Sequence, residues 1–109
     1  MCSGMNYIVV IKNKTDIDLN NLQLIWLRKP DIPVEVKDIK KGDFQRVSLP
    51  NLVYGTAPLK MYYLDKLNVN HEYPILAEIT GFQEKYICIT ITEISEYGEL
   101  KYEVNPNYY

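Results

Sequence analysis

Apolar and polar residues alternate with period two along short stretches of this chain, and each stretch ends at a cluster of turn-forming residues. Residues 7–12 put Tyr7, Val9 and Ile11 on one face, and Asn13, Lys14, Thr15 and Asp16 close the stretch. A second begins near Leu19. Leu22, Leu24 and Trp26 share one of its faces and Gln23, Ile25 and Leu27 the other, up to a loop bracketed by Pro30 and Pro33. Apolar residues on both faces predict a central strand. Residues 34–37 form a short third strand, and Lys40, Lys41, Gly42 and Asp43 turn the chain into a fourth over residues 44–49, which Pro50 stops.

Residues 51–58 hold Asn51, Gly55, Thr56 and Pro58 and predict the longest loop. Residues 59–64 follow as a strand with Leu59, Met61 and Tyr63 on one face, residues 65–72 suit a connection, and residues 73–82 make the next strand, closed or bulged at Gly81. The clearest pair comes last. Ile87, Ile89 and Ile91 alternate with Cys88, Thr90 and Thr92, Leu100, Tyr102 and Val104 alternate with Lys101 and Glu103, and residues 95–99 join the two as a hairpin turn.

No stretch carries a sustained helical stripe, and no strand–helix–strand alternation is present. Seven or eight short strands with little or no helix predict an all-β fold, an antiparallel two-sheet β-sandwich of Ig-like or C2-like type, with a partly open barrel as the alternative. Composition sharpens this: 12 Ile, 8 Val and 10 Tyr stand against 2 Ala, a set that suits pleated, half-buried surfaces rather than helices. At 109 residues the chain holds one core and reads as a single domain, with residues 1–5 as an extension outside it.

Charge argues against several partners. Twelve basic and 14 acidic side chains leave no cationic field for phosphate backbones, so nucleic acid is not expected. The longest apolar runs fall far short of the ~20 residues of a spanning helix, and residues 1–7 lack the pattern of a secretory signal. A cytoplasmic location is the default expectation, although Cys2 leaves a trimmed secreted or lipoprotein form open. Charge is mildly asymmetric, with eight basic and six acidic side chains in residues 1–50 against four and eight in residues 51–109.

Candidate chemistry is sparse. The single His71, with Cys88 and a distant Cys2, supplies no recognisable zinc set. A triad would need His71 beside Ser3, Ser48, Ser95 or Cys88, and none of these sits in an elbow motif. No two glycines stand within six residues, so neither a P-loop nor a dinucleotide fingerprint can form. Asp16, Asp18 and Asp31 read as turn residues before calcium ligands, and Cys88 as a small buried hydrophobe. The remaining carboxylates, including Glu72, Glu78, Glu84, Glu93, Glu96, Glu99 and Glu103, stand mostly on polar faces or turns. No cofactor is expected.

Ten tyrosines against two Phe and one Trp favour aromatics that face water and recognise partners. Tyr54, Tyr62, Tyr97 and Tyr108, with Tyr109, are the candidate binding surface, whereas Tyr7, Tyr63, Tyr86 and Tyr102 are expected at the core or its margin. The succession of residues 7–15, then Leu22-Gln23-Leu24, residues 59–65, Ile89-Thr90-Ile91 and Gly98-Glu99-Leu100 resembles small uncharacterised β-sandwich proteins of low-GC bacteria. That resemblance implies a fold and no activity. The start at Asn13 to Thr15 followed by Trp26 is also similar to aegerolysin-type membrane-binding sandwiches, but the cysteine- and glycine-rich middle of that family is absent here and its activity does not carry over.

The expectation is a non-enzymatic binding module that contacts another protein, or a second copy as a homodimer, through a sheet edge or a Tyr-bearing face. A carbohydrate-binding module is the alternative. A membrane-associating sandwich and a small hydrolase built on Glu78 or Glu93 come last.

Overall fold

The computed structural model describes residues 7–26, 34–49, 56–80 and 85–105. They form eight strands: β1 (Tyr7–Asn13), β2 (Leu22–Trp26), β3 (Val34–Val36), β4 (Phe44–Leu49), β5 (Thr56–Leu64), β6 (Asn70–Thr80), β7 (Lys85–Ile94) and β8 (Leu100–Asn105). Two four-stranded sheets result, one ordered β4-β1-β7-β8 and the other β3-β2-β5-β6. This is the two-sheet sandwich that the alternation predicts.

The inward-facing sets meet between the sheets. Val9, Ile11, Leu49, Ile87, Ile89 and Ile91 from the first sheet pack against Leu22, Leu24, Leu59 and Met61 from the second, all but wholly buried. Burial on this scale drives the sheets together at roughly 25 cal/mol per Å² of apolar surface. An isolated bridge between Leu19 and Ile39 plugs the core where the chain passes between sheets.

Three sequence expectations change. First, the sheets are not wholly antiparallel, because β1 runs parallel to β7, pairing Val9 with Ile87 and Ile11 with Ile89. Alternation reports which face a side chain takes, not the direction of a neighbour. Strands in parallel pairs tend to be apolar on both faces, and the outward Val10 and Cys88, paired in register, are indeed 8% and 4% exposed. Second, β6 begins at Asn70, three residues early, so residues 65–69 form a tight turn and His71 stands on a strand. Third, β5 begins at Thr56, so the expected loop over residues 51–58 is shorter at its far end, its residues 51–55 lying outside the described residues.

The sheets are stitched along one side by tyrosines. The Leu100 amide donates to the Tyr73 hydroxyl at 2.9 Å, and the Tyr102 hydroxyl donates to the Pro74 carbonyl at 2.7 Å. The Tyr73 and Tyr102 rings meet edge to face with centroids 5.4 Å apart. These bonds occupy backbone groups of both β6 and β8, the strands at that edge of each sheet, and Pro74 itself has no N–H to offer there. Burial pushes the phenols of Tyr63, Tyr73 and Tyr102 above their ordinary value, so all three stay neutral.

A polar knot holds the connections at the far end of β1. Asn13, 1% exposed, donates from Nδ2 to the Ile17 and Ile39 carbonyls at 2.8 and 3.0 Å. Its Oδ1 accepts from the Thr15 amide at 2.9 Å and the Thr15 hydroxyl at 2.6 Å. All four hydrogen-bonding positions of the amide are thereby used. Asp18 Oδ1 accepts from the Lys41 amide at 3.0 Å, which gives that aspartate a turn-holding role.

Candidate functional site

Two hairpins, one from each sheet, end side by side. The β5–β6 turn spans residues 65–69 and the β7–β8 turn residues 95–99, and their backbones match bond for bond. Asp65 N–H donates to the Val69 carbonyl and Asn68 N–H to the Asp65 carbonyl, as Ser95 N–H does to Glu99 and Gly98 N–H to Ser95. Each turn carries a left-handed residue at the same place, Asn68 at φ 64° and Gly98 at φ 83°, as a type I turn closed by a bulge requires.

Their first residues act alike. Asp65 Oδ1 accepts the Leu67 and Val69 amides at 2.8 and 3.0 Å, and Ser95 Oγ accepts the Tyr97 and Glu99 amides at 3.2 and 3.0 Å. This short-range capping is what Asp and Ser supply in turns. Asp65 does more, since its Oδ2 lies 2.7 Å from His71 Nε2. The His71 imidazole and then the Val69 amide hold the Asp65 carboxyl below the usual carboxylate range. His71 in turn stacks between Tyr63 and Tyr73, with ring centroids 6.2 and 6.3 Å away.

Gly98 lets the two turns touch. A Cβ there would lie 2.6 Å from Asp65 Cβ and 2.7 Å from Oδ2, so no other residue permits this approach. Beside the contact opens a cleft of about 170 Å³, a volume near that of the ~150 Å³ cavities that take up a benzene ring. Ile17, Tyr63, Leu67, Ile94 and Tyr97 supply its apolar walls. Leu67 is 78% exposed, Tyr97 75% and Ile17 38%, and Val69 on the same turn is 50% exposed. Lys66 stands on one wall and Glu96 on the other.

Of the candidate tyrosines, only Tyr97 lines this cleft among the described residues. Tyr62 lies on the outer face of the other sheet, in a wider groove of mixed lining with Gln23, Glu35, Leu64 and Asn70. It is half-buried and donates to Glu72 Oε1 at 3.0 Å, while Lys60 reaches Glu72 Oε2 at 2.7 Å. The Lys60 ammonium, then the Tyr62 hydroxyl, lower the Glu72 carboxyl below its ordinary range. Tyr54, Tyr108 and Tyr109 lie outside the described residues, as do Asp31 and Glu84. Leu67 and Ile17 are not among the residues that alternation or composition marks for a surface role. Their signal was an apolar residue placed inside an otherwise polar turn.

Two of the residues weighed for catalysis, Ser95 and Glu93, are engaged elsewhere. Ser95 Oγ is engaged by its own turn, and among the described residues no hydrogen bond joins it to His71. Glu93 pairs with exposed Lys101 at 3.3 Å. Among the described residues no cluster of three or more His, Cys, Asp or Glu side chains is arranged to hold a metal ion, and no helix is long and apolar enough to cross a membrane.

No family model matches the chain, and no curated protein matches it. Among solved structures, the NMR structure of a protein from Eubacterium rectale is similar, with a TM-score of 0.62 at 11% sequence identity over 98% of this chain and 95% of that one. At that identity the likeness is one of fold, a β-sandwich shared over nearly the full length of a bacterial protein.

Proposed function

We propose that this chain is a non-enzymatic protein-interaction module and that the cleft between its two hairpin turns is the contact surface. One observation carries the reading: Leu67 and Tyr97, more than 70% exposed, flank an apolar cleft the size of one side chain. Large exposed apolar side chains grouped around a recess are what binding surfaces present, and Tyr is among the side chains enriched at their energetic centres. The supporting turns are rigid, each closed by backbone bonds and capped by its own first residue.

The carbohydrate reading rests on the exposed Tyr97 ring, which suits stacking on a sugar. A sugar site also needs convergent side-chain hydrogen-bonding groups; here Asp65 and Ser95 are consumed by their turns and by His71, which leaves Lys66 and Glu96 on opposite walls. The protein reading is therefore favoured.

A photo-crosslinking residue at position 67 in the native host tests it, with position 35 on the outer face as control. The expected result is a discrete adduct from position 67 alone, lost when Tyr97→Ser is added. Equal crosslinking from both positions refutes the reading, and glycan-array binding abolished by Tyr97→Ala transfers the case to sugars.

A further inference from the structure

The twin turns that wall the cleft carry a self-complementary pattern. Superposing their shared hydrogen-bond frame places Lys66 on Glu96 and Leu67 on Tyr97. Each wall thus presents a charged residue followed by a large exposed apolar one, and the charges are opposite in sign. A two-fold interface demands that whatever one copy offers on the first wall be met by what the other offers on the second.

We propose that the occupant of this cleft is a second copy of the same chain, docked turn to turn about a two-fold axis running along the cleft. The proposal rests on the cleft being an interaction surface and names its partner. Such an axis exchanges the walls, so Lys66 of each copy faces Glu96 of the other, and Leu67 and Tyr97 close over one another. A two-fold across the cleft would instead oppose Lys66 to Lys66 and Glu96 to Glu96, so charge selects the first arrangement. Among the described residues neither Lys66 nor Glu96 is engaged in an ion pair within its own chain. At the β6 and β8 edges the Tyr73 and Tyr102 bonds already occupy the Pro74 carbonyl and the Leu100 amide, two groups that edge-to-edge pairing would otherwise use.

Area sets the strength. The molecule measures 45 × 28 × 20 Å, and its short dimensions cap an end-to-end contact below the ~800 Å² per partner of a standard interface. The dimer is accordingly weak and in fast exchange.

Sedimentation and ¹⁵N relaxation between 10 µM and 1 mM test this with the intact chain. Mass and correlation time are expected to rise toward the dimer values, with shift changes confined to residues 17, 64–70 and 94–99. Glu96→Lys or Lys66→Glu alone is expected to weaken association at least about fivefold, and the double exchange to restore it to within about twofold. A chain that stays monomeric at 1 mM, or a double exchange that fails to restore association, overturns the proposal. Indole added to the dilute monomer separates the two claims. If indole shifts the Leu67 and Gly98 amides but the chain stays monomeric at 1 mM, the cleft stands as an interaction surface and the self-pairing falls; if the chain stays monomeric at 1 mM and indole shifts nothing, both fall.

Discussion

Replacing Asn13 by alanine is the sharpest test of how the sandwich is held together, because the four bonds of that side chain have different fates. The Thr15 amide loses its acceptor inside the protein, and an orphaned buried amide costs about 2 kcal/mol. The Ile39 carbonyl keeps the Leu19 amide as a donor, and the Ile17 carbonyl can take the Thr15 hydroxyl proton that Asn13 Oδ1 releases. Each of those losses is therefore an ordinary net hydrogen bond of roughly 0.5–1 kcal/mol. The total is about 3 kcal/mol, or about 12 °C in Tm at roughly 4 °C per kcal/mol for a domain near this size.

Asn13→Asp adds a second arm. It keeps an acceptor for Thr15 but turns a carboxylate oxygen toward the Ile17 and Ile39 carbonyls, where only a donor fits. At pH 7 it is expected to cost at least as much as alanine and to recover on acidification, when the protonated carboxyl can donate to one carbonyl. Thermal melts and urea titrations at pH 7 and pH 4 read both effects. A loss below about 4 °C for the alanine variant, or an aspartate variant as stable as the parent at pH 7, refutes the assignment of Asn13 as the knot.

Gly98→Ala and Gly42→Ala separate strain from crowding: both residues have positive φ, but only Gly98 meets a neighbour, so it is expected to cost more than about 2 kcal/mol and Gly42 about 1 kcal/mol by thermal melting. Tyr73→Phe orphans the Leu100 amide in a buried setting and is expected to cost about 1–3 kcal/mol in urea unfolding, whereas Tyr102→Phe, at an exposed bond, stays below about 1 kcal/mol. Asp65 has a folded pKa below the ordinary carboxylate value, so its stabilisation is present above that value and is lost as pH falls through the folded pKa. Asp65→Asn should flatten the stability profile below about pH 4; an unchanged acid slope counts against the His71 contact.

Most of the strands were legible because half-buried strands write their inner face into every second residue. The limits of β4 at Phe44 and Leu49 and the β7–β8 hairpin follow directly from that rule. The start of β6 did not, because Asn68, Asn70 and His71 are polar and read as loop, while the structure uses the Asp65 carboxylate to complete the turn by residue 69 and His71 to face back toward Asp65. The parallel β1–β7 pair was also hidden, since Val10 and Cys88 gain their burial from strands far apart in the chain. Of the candidate site, Tyr97 was visible as an aromatic in a turn. Its partner Leu67 became visible only once the two turns were brought together across sheets.

The central place of β1 has a consequence for how the molecule assembles. Its partner β7 lies more than 70 positions downstream, so during synthesis the first strand has only β4 beside it until the last hairpin is made. The β3-β2-β5-β6 sheet, by contrast, is complete in the chain by Thr80. Closing so long a loop is expected to make the sheet with β1 at its heart the late step of folding, as high contact order slows β proteins. Truncation before residue 85 would leave the inner edge of β1 without its partner, a template for aggregation rather than a smaller domain.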